Sequence, residues 1–295
     1  MQPLAAWLVA RPQNAVLGLA ATLLLPVLQI FSGIFMVLLV LKHGARLAVI
    51  EGAVAGAVLI AVALVAGVPA MQVATAMLSI WLPAVLIGVT LAVTRSVTLT
   101  LQVSVLVAAV ATLVFYGLVG DLVAYWQPVL TVLLEWAREN SLHEQAQLME
   151  AQPAMTADML TMAVVLANWM LYAVYMLFGY RLFAQLPGET RNYGRFCDLS
   201  FGRVIALIMA VMSLLAFVIG AAWLQSMAFV LFAVFWLQGL AVVHWMYTDG
   251  HLPLFVVILT YVLMPLLHVF LVMALAILGY TDAWFRYRRR TVNEQ

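Results

Sequence analysis

The sequence predicts an all-α fold, a polytopic transmembrane helical bundle, on three observations. Of its residues 67% are hydrophobic, only 8% are charged, and the apolar residues fall into about eight long blocks separated by short polar turns. Soluble domains carry about 25% charged residues, so this chain lacks the polar surface to cover a water-facing core. A hydrocarbon layer of about 30 Å is crossed by about 20 residues of helix, and most of the blocks reach that length. In lipid every backbone polar group must be paired internally, which leaves helices or closed barrels. Barrel strands alternate polar and apolar residues; these runs are apolar all round, so helices are predicted.

In chain order the blocks cover 14–41, 45–66, 71–93, 97–118, 155–183, 202–220, 223–247 and 253–281. The first follows Arg11 and far exceeds the 7–15-residue core of a cleavable signal peptide, so it reads as a retained span. It contains Pro26, followed by Gln29, Ser32 and Gly33. The last contains Pro265 near its middle. A helix-interior proline removes one hydrogen bond and crowds the preceding turn. Each of these two blocks is therefore either a long proline-kinked helix or a broken helix of the kind that lines transporter sites. No linker or repeat divides the chain, which reads as one integral membrane domain over 1–295. An acidic insert at 119–153 carries Glu135, Glu139, Glu144 and Glu150 against Arg138, and its first part, Leu122 to Trp136, is amphipathic enough to lie along an interface.

Lysine and arginine concentrate on cytoplasmic loops. Three places are rich in them: Lys42 with Arg46, the 181–203 segment, and the tail from Arg286 to Arg290. The insert is therefore expected outside, in the periplasm, and the tail in the cytoplasm. Three blocks separate the 181–203 segment from the tail, so a cytoplasmic tail requires one of them to depart from a simple crossing. A turn back at Pro265 repairs that parity. Net charge is +1, which gives no reason to expect nucleic acid as a partner; the lipid bilayer is the partner the composition demands.

Within block 155–183, Asp158, Thr161, Val165, Asn168, Tyr172, Tyr175 and Gly179 step by three and four and share one helical face. This stripe either lines a hydrophilic cavity or forms a helix seam, where such side chains hydrogen-bond for about 0.6 kcal/mol each. Glu51 is an intramembrane carboxyl, costly unless paired, and Lys42 and Arg46 are near enough in sequence to neutralise it. Tyr261, Pro265 and His268 share a face at the suspected break, where His268 can relay protons, bind a ligand or simply bond to backbone. Gly52 and Gly56 form a GxxxG pair suited to close helix packing. The single cysteine, Cys197, cannot form an internal disulfide and gives no metal-site spacing. No GxxxxGK[ST], HExxH, GxSxG or CxxC motif occurs, so no enzyme chemistry, cofactor or metal is indicated.

Gln238-Gly239-Leu240-Ala241, then His244, Leu252-Pro253, Gly279 and Asp282-Ala283-Trp284-Phe285-Arg286 resemble the C-terminal part of the YybS-like family of bacterial membrane proteins, domain of unknown function 2232. The resemblance implies a bacterial inner-membrane protein. It suggests, more loosely, a likeness to substrate-binding subunits of energy-coupling-factor transporters, which have about six spans against the eight or so blocks here. The expected function is transport-type: a small or amphipathic ligand held in an intramembrane cavity, with energy from a partner ATPase subunit or an ion gradient, or facilitation alone. The competing expectation is a non-transporting scaffold or interaction subunit whose arginine tail recruits a cytoplasmic partner.

Overall fold

The computed structural model describes residues 2–290. Among them every regular element is helical, and six helices are long and apolar enough to cross a membrane. The chain packs as two compact units, Met1–Leu101 with Met170–Phe196, and Gln102–Trp169 with Cys197–Gln295.

The first unit contains α1 (Gln2–Ala10), α2 (Pro12–Leu24), α3 (Gln29–His43), α4 (Ala45–Val65) and α5 (Ala70–Thr94). It also holds the start of α6 (Val97–Leu118) and the later half of α9 (Pro153–Ala184). Block 14–41 is broken: Leu25 is extended and Pro26–Leu28 form a single 3₁₀ turn. The chain then doubles back. Gln29 Nε2 donates to the Leu23 carbonyl at 3.4 Å, Ser32 Oγ donates to that of Leu19 at 3.3 Å, and Gly18 faces Phe35. These pairs recede from Pro26 in both directions, the signature of an antiparallel hairpin. The polar groups that follow the proline thus satisfy carbonyls across the turn.

α3 is the centre of this unit, with every residue from Ser32 to Leu41 buried. Gly44, at φ +85°, reverses the chain into α4, a backbone state that glycine reaches without steric cost. Gly52 and Gly56 of α4 admit the ends of Met36 and Met77. α5 runs parallel to α3: Trp81 Nε1 donates to Ser32 Oγ at 2.8 Å, and Gly88 faces Val40. Pro83 is carried inside α5 without ending it, so proline alone does not decide where a span breaks. From α9, Gly179 packs on Val37 and Ile34, and the Tyr175 ring covers Gly33.

The second unit holds the rest of α6 and α9, then α7 (Leu122–Glu139), α8 (His143–Ala151), α10 (Gly202–Ile219), α11 (Ala222–Ala233) and α12 (Phe235–Thr248). It ends with α13 (Leu254–Leu263), α14 (His268–Phe285) and the short α15 (Tyr287–Arg290). The acidic insert forms α7 and α8. Asp121 caps α7 by accepting from the backbone N–H groups of Val123 and Ala124 at 3.0 and 3.1 Å, a standard end for a helix. Arg138 and Glu150 form an ion pair between the two helices.

Gly220, at φ +70°, turns α10 into α11, and Ala216, Leu224 and Ala228 pack across the turn. α11 and α12 are joined through Val234, itself in the right-handed helical region. Block 253–281 is also broken, between Leu263 and His268. Tyr261 lies at His244, Leu275 at Gly239, and Gly279 at Phe235. The last two contacts step towards the start of α12 as the chain advances, so α14 runs antiparallel to α12. The reason is the tight glycine seam: a Cβ at Gly239 would overlap the Leu275 carbonyl, and one at Gly279 that of Phe235. This seam holds α14 antiparallel to α12.

Candidate functional sites

The first unit carries an apolar cleft of about 250 Å³ between α3, α4 and α5. Met36, Val49, Gly52, Ala53, Met77 and Trp81 form most of its wall. The indole N–H of Trp81 is bound to Ser32, itself fully buried, so the wall offers an apolar ring and no free donor. One turn beyond Val49 along α4 lies Arg46, exposed.

Glu51 of α4 is buried, and its partner is not the one the sequence suggests. Lys42 and Arg46 were expected to neutralise it; instead His43 Nδ1 lies 3.1 Å from Glu51 Oε1, and His43 Nε2 lies 3.2 Å from the Val9 carbonyl. His43 is part of the tight turn at Gly44, which brings its ring over the first turns of α4, whereas the long cationic side chains remain exposed. A carbonyl only accepts, so Nε2 carries a proton. Nδ1 therefore faces the carboxyl, and the buried acid is engaged by His43.

The same end of this unit holds the 185–196 loop. The Tyr193 carbonyl accepts from the N–H of Val97 at 2.9 Å, and the Tyr193 N–H donates to Tyr180 Oη at 2.7 Å. Arg191 grips Glu189 through two side-chain bonds of 2.7 Å and lies 4.5 Å from the Phe183 ring centre. Those bonds hold the Glu189 carboxyl far below the usual range, at about 2; burial opposes them, and a further N–H bond from Arg191 and the charge of Lys42 assist. Glu51 and Glu189 are thereby both engaged.

The polar stripe of α9 is divided between the units. In the second, Asp158 Oδ1 accepts from Tyr116 Oη at 3.0 Å and Thr161 Oγ1 accepts from Trp126 Nε1 at 2.9 Å. Asn168 is exposed and donates to the Val164 carbonyl of its own helix at 2.8 Å. In the first unit, Tyr172 and the buried Tyr175 have ring centres 6.0 Å apart. The described contacts of the stripe thus fall into two sets, one in each unit. Tyr261 Oη lies 3.3 Å from His244 Nε2; the side chain of His268 lies outside those described.

A second polar centre was not anticipated from the sequence. Gln238, fully buried, accepts from the Phe201 N–H through Oε1 at 2.7 Å and donates through Nε2 to Asp282 Oδ2 at 2.7 Å. Arg288 Nη2 reaches the same Oδ2 at 2.6 Å and the Leu199 carbonyl at 2.7 Å, while Nη1 binds that of Cys197 at 2.7 Å. Asp282 Oδ1 is buried with no hydrogen-bond partner among the described residues. Arg288 is thus folded into the unit rather than projecting as part of a loose tail. The available signal was the glycine beside each polar residue, Gly239 after Gln238 and Gly279 one turn before Asp282, where two backbones come close.

Broken helices, glycine-seamed spans and a buried ion pair on an otherwise apolar scaffold define a multi-pass α-helical membrane protein. No metal-ligand cluster occurs among the described residues. The chain belongs to the family described as Predicted membrane protein (DUF2232), whose match covers residues 14–283. No curated protein and no solved structure matches it, so the suggested likeness to energy-coupling-factor subunits rests on no match. The residues quoted for the family resemblance include Gln238, Gly239, Gly279 and Asp282, all members of the second polar centre or its seam.

Proposed function

We propose that this is a transport-type protein of the bacterial inner membrane that takes an amphipathic ligand into the cleft between α3, α4 and α5. The single observation that carries this reading is the cleft itself: about 250 Å³, almost wholly apolar in lining, beside the proline-broken hairpin α2–α3. Ligand sites are concave and largely apolar, and broken helices occur in membranes where they face protein or a cavity. With no ATP-binding motif, energy comes from a partner subunit or a gradient, or transport is facilitated. Lys42, Arg46, Arg95 and the arginines of the 185–196 loop lie at one end of the first unit, which we assign to the cytoplasm by the distribution of basic residues. The scaffold reading is weakened because Arg288, part of its expected docking tail, is bound within its own unit.

Native mass spectrometry of gently purified protein tests the proposal. Wild type should retain an amphipathic molecule that Ala53→Phe, which fills the cleft from its exposed side, does not retain at unchanged melting temperature. Retention by both proteins would overturn it.

A further inference from the structure

We infer that the ligand of this cleft is an anionic lipid, with its chain along α4 and its phosphate at Arg46; this rests on the cleft reading above. The lining of the cleft is apolar and elongated over Val49–Ala53 of α4 and Met77–Val85 of α5, a shape that suits a flexible hydrocarbon chain. The charge at its end decides the head. Arg46 is on the Val49–Ala53 face of α4, at spacings of three and seven. It lies about 10 Å from Ala53 along the axis at 1.5 Å per residue. Lys42 precedes it across the Gly44 turn, and both side chains are exposed.

The nearby acids leave that charge standing. Glu51 is engaged by His43, and Glu189 is held by Nε and Nη2 of Arg191. A positive head site therefore adjoins the polar end of an apolar groove. Arginine matches a phosphate with two parallel donors, and a bilayer lipid delivers phosphate and chain together. A zwitterionic lipid offers the same chain and phosphate but no net charge, so discrimination between the two isolates the contribution of Arg46.

The test uses delipidated full-length protein in detergent, titrated with phosphatidylglycerol or phosphatidylcholine and read by native mass spectrometry. Wild type should hold one phosphatidylglycerol about fivefold more tightly than phosphatidylcholine, the factor that corresponds to about 1 kcal/mol. Arg46→Gln should abolish the preference yet still bind both lipids, whereas Ala53→Phe should lose both. An unchanged preference in Arg46→Gln would overturn the inference and leave the cleft reading standing. Undiminished lipid binding by Ala53→Phe would overturn the cleft reading as well, marking the adducts as annular lipid. Melting temperatures within a few degrees of wild type confirm that each variant is folded, and Ala53→Leu serves as the gentler filling change.

Discussion

Gln238 and Asp282 meet at 2.7 Å between antiparallel helices, and both are almost completely buried. Arg288 closes the arrangement by binding the same carboxylate oxygen together with two carbonyls of the 197–199 segment. A buried ion pair of this kind adds little over an apolar replacement, but removing one partner leaves an uncompensated charge.

Arg288→Met is expected to destabilise the protein by about 3 kcal/mol, because it strands Asp282 in an apolar setting. Adding Asp282→Leu should recover part of that loss, so the double variant falls short of the sum of the single ones. Chemical denaturation in detergent micelles measures all three; strict additivity would show that the two residues act independently.

Gly239→Ala should be costly, by about 1–3 kcal/mol, because its methyl group meets the Leu275 carbonyl in a seam with no flexible side chain to yield. Gly117→Ala provides the contrast. Nothing lies within 4 Å of its added carbon, and alanine favours the helix by about 0.5–1 kcal/mol. The two changes should thus shift the melting temperature in opposite directions.

The Glu189 carboxyl titrates at about 2 in the folded protein against an ordinary value of 4.5. Because the folded value is depressed, its stabilising contribution is fully present above pH 4.5 and is lost as the pH falls towards 2. Glu189→Gln should therefore melt earlier than wild type at pH 7, with the difference shrinking through that window. A difference that stayed constant from pH 6 to pH 2.5 would contradict the role given to the Arg191 pair.

The helical membrane class and most span limits are legible in the sequence because they follow from composition and block length, which need no tertiary contact. Pro26 and Pro265 mark where two spans break, but the sequence leaves open whether each proline kinks or breaks its helix, and the consequences are not legible. Gln29 and Ser32 supply bonds across the first break, whereas the Gly239–Gly279 seam sets the course after the second. Pro83 shows that a proline can also remain within a span. The pairing of Glu51 was misread because charge suggests Lys42 and Arg46, while geometry favours His43. The α9 stripe has a real periodicity, yet its two halves belong to different packing environments, which a period cannot reveal. Gln238, Asp282 and Arg288 come together only through the packing of α12 against α14 and the turn at Arg286, at φ +51°.

The covering of Gly33 by Tyr175 and of Val37 by Gly179 sets an order of events during biogenesis. The hairpin α2–α3 emerges from the ribosome early, but the half-helix that completes its surroundings is encoded after residue 169. At about 5–20 residues per second, synthesis of the intervening stretch from His43 to Phe196 takes on the order of 8–30 s. Throughout that interval a helix whose middle is buried on all sides in the finished protein lacks one wall. The nascent chain must therefore be sheltered by lipid or by the insertion machinery until α9 arrives.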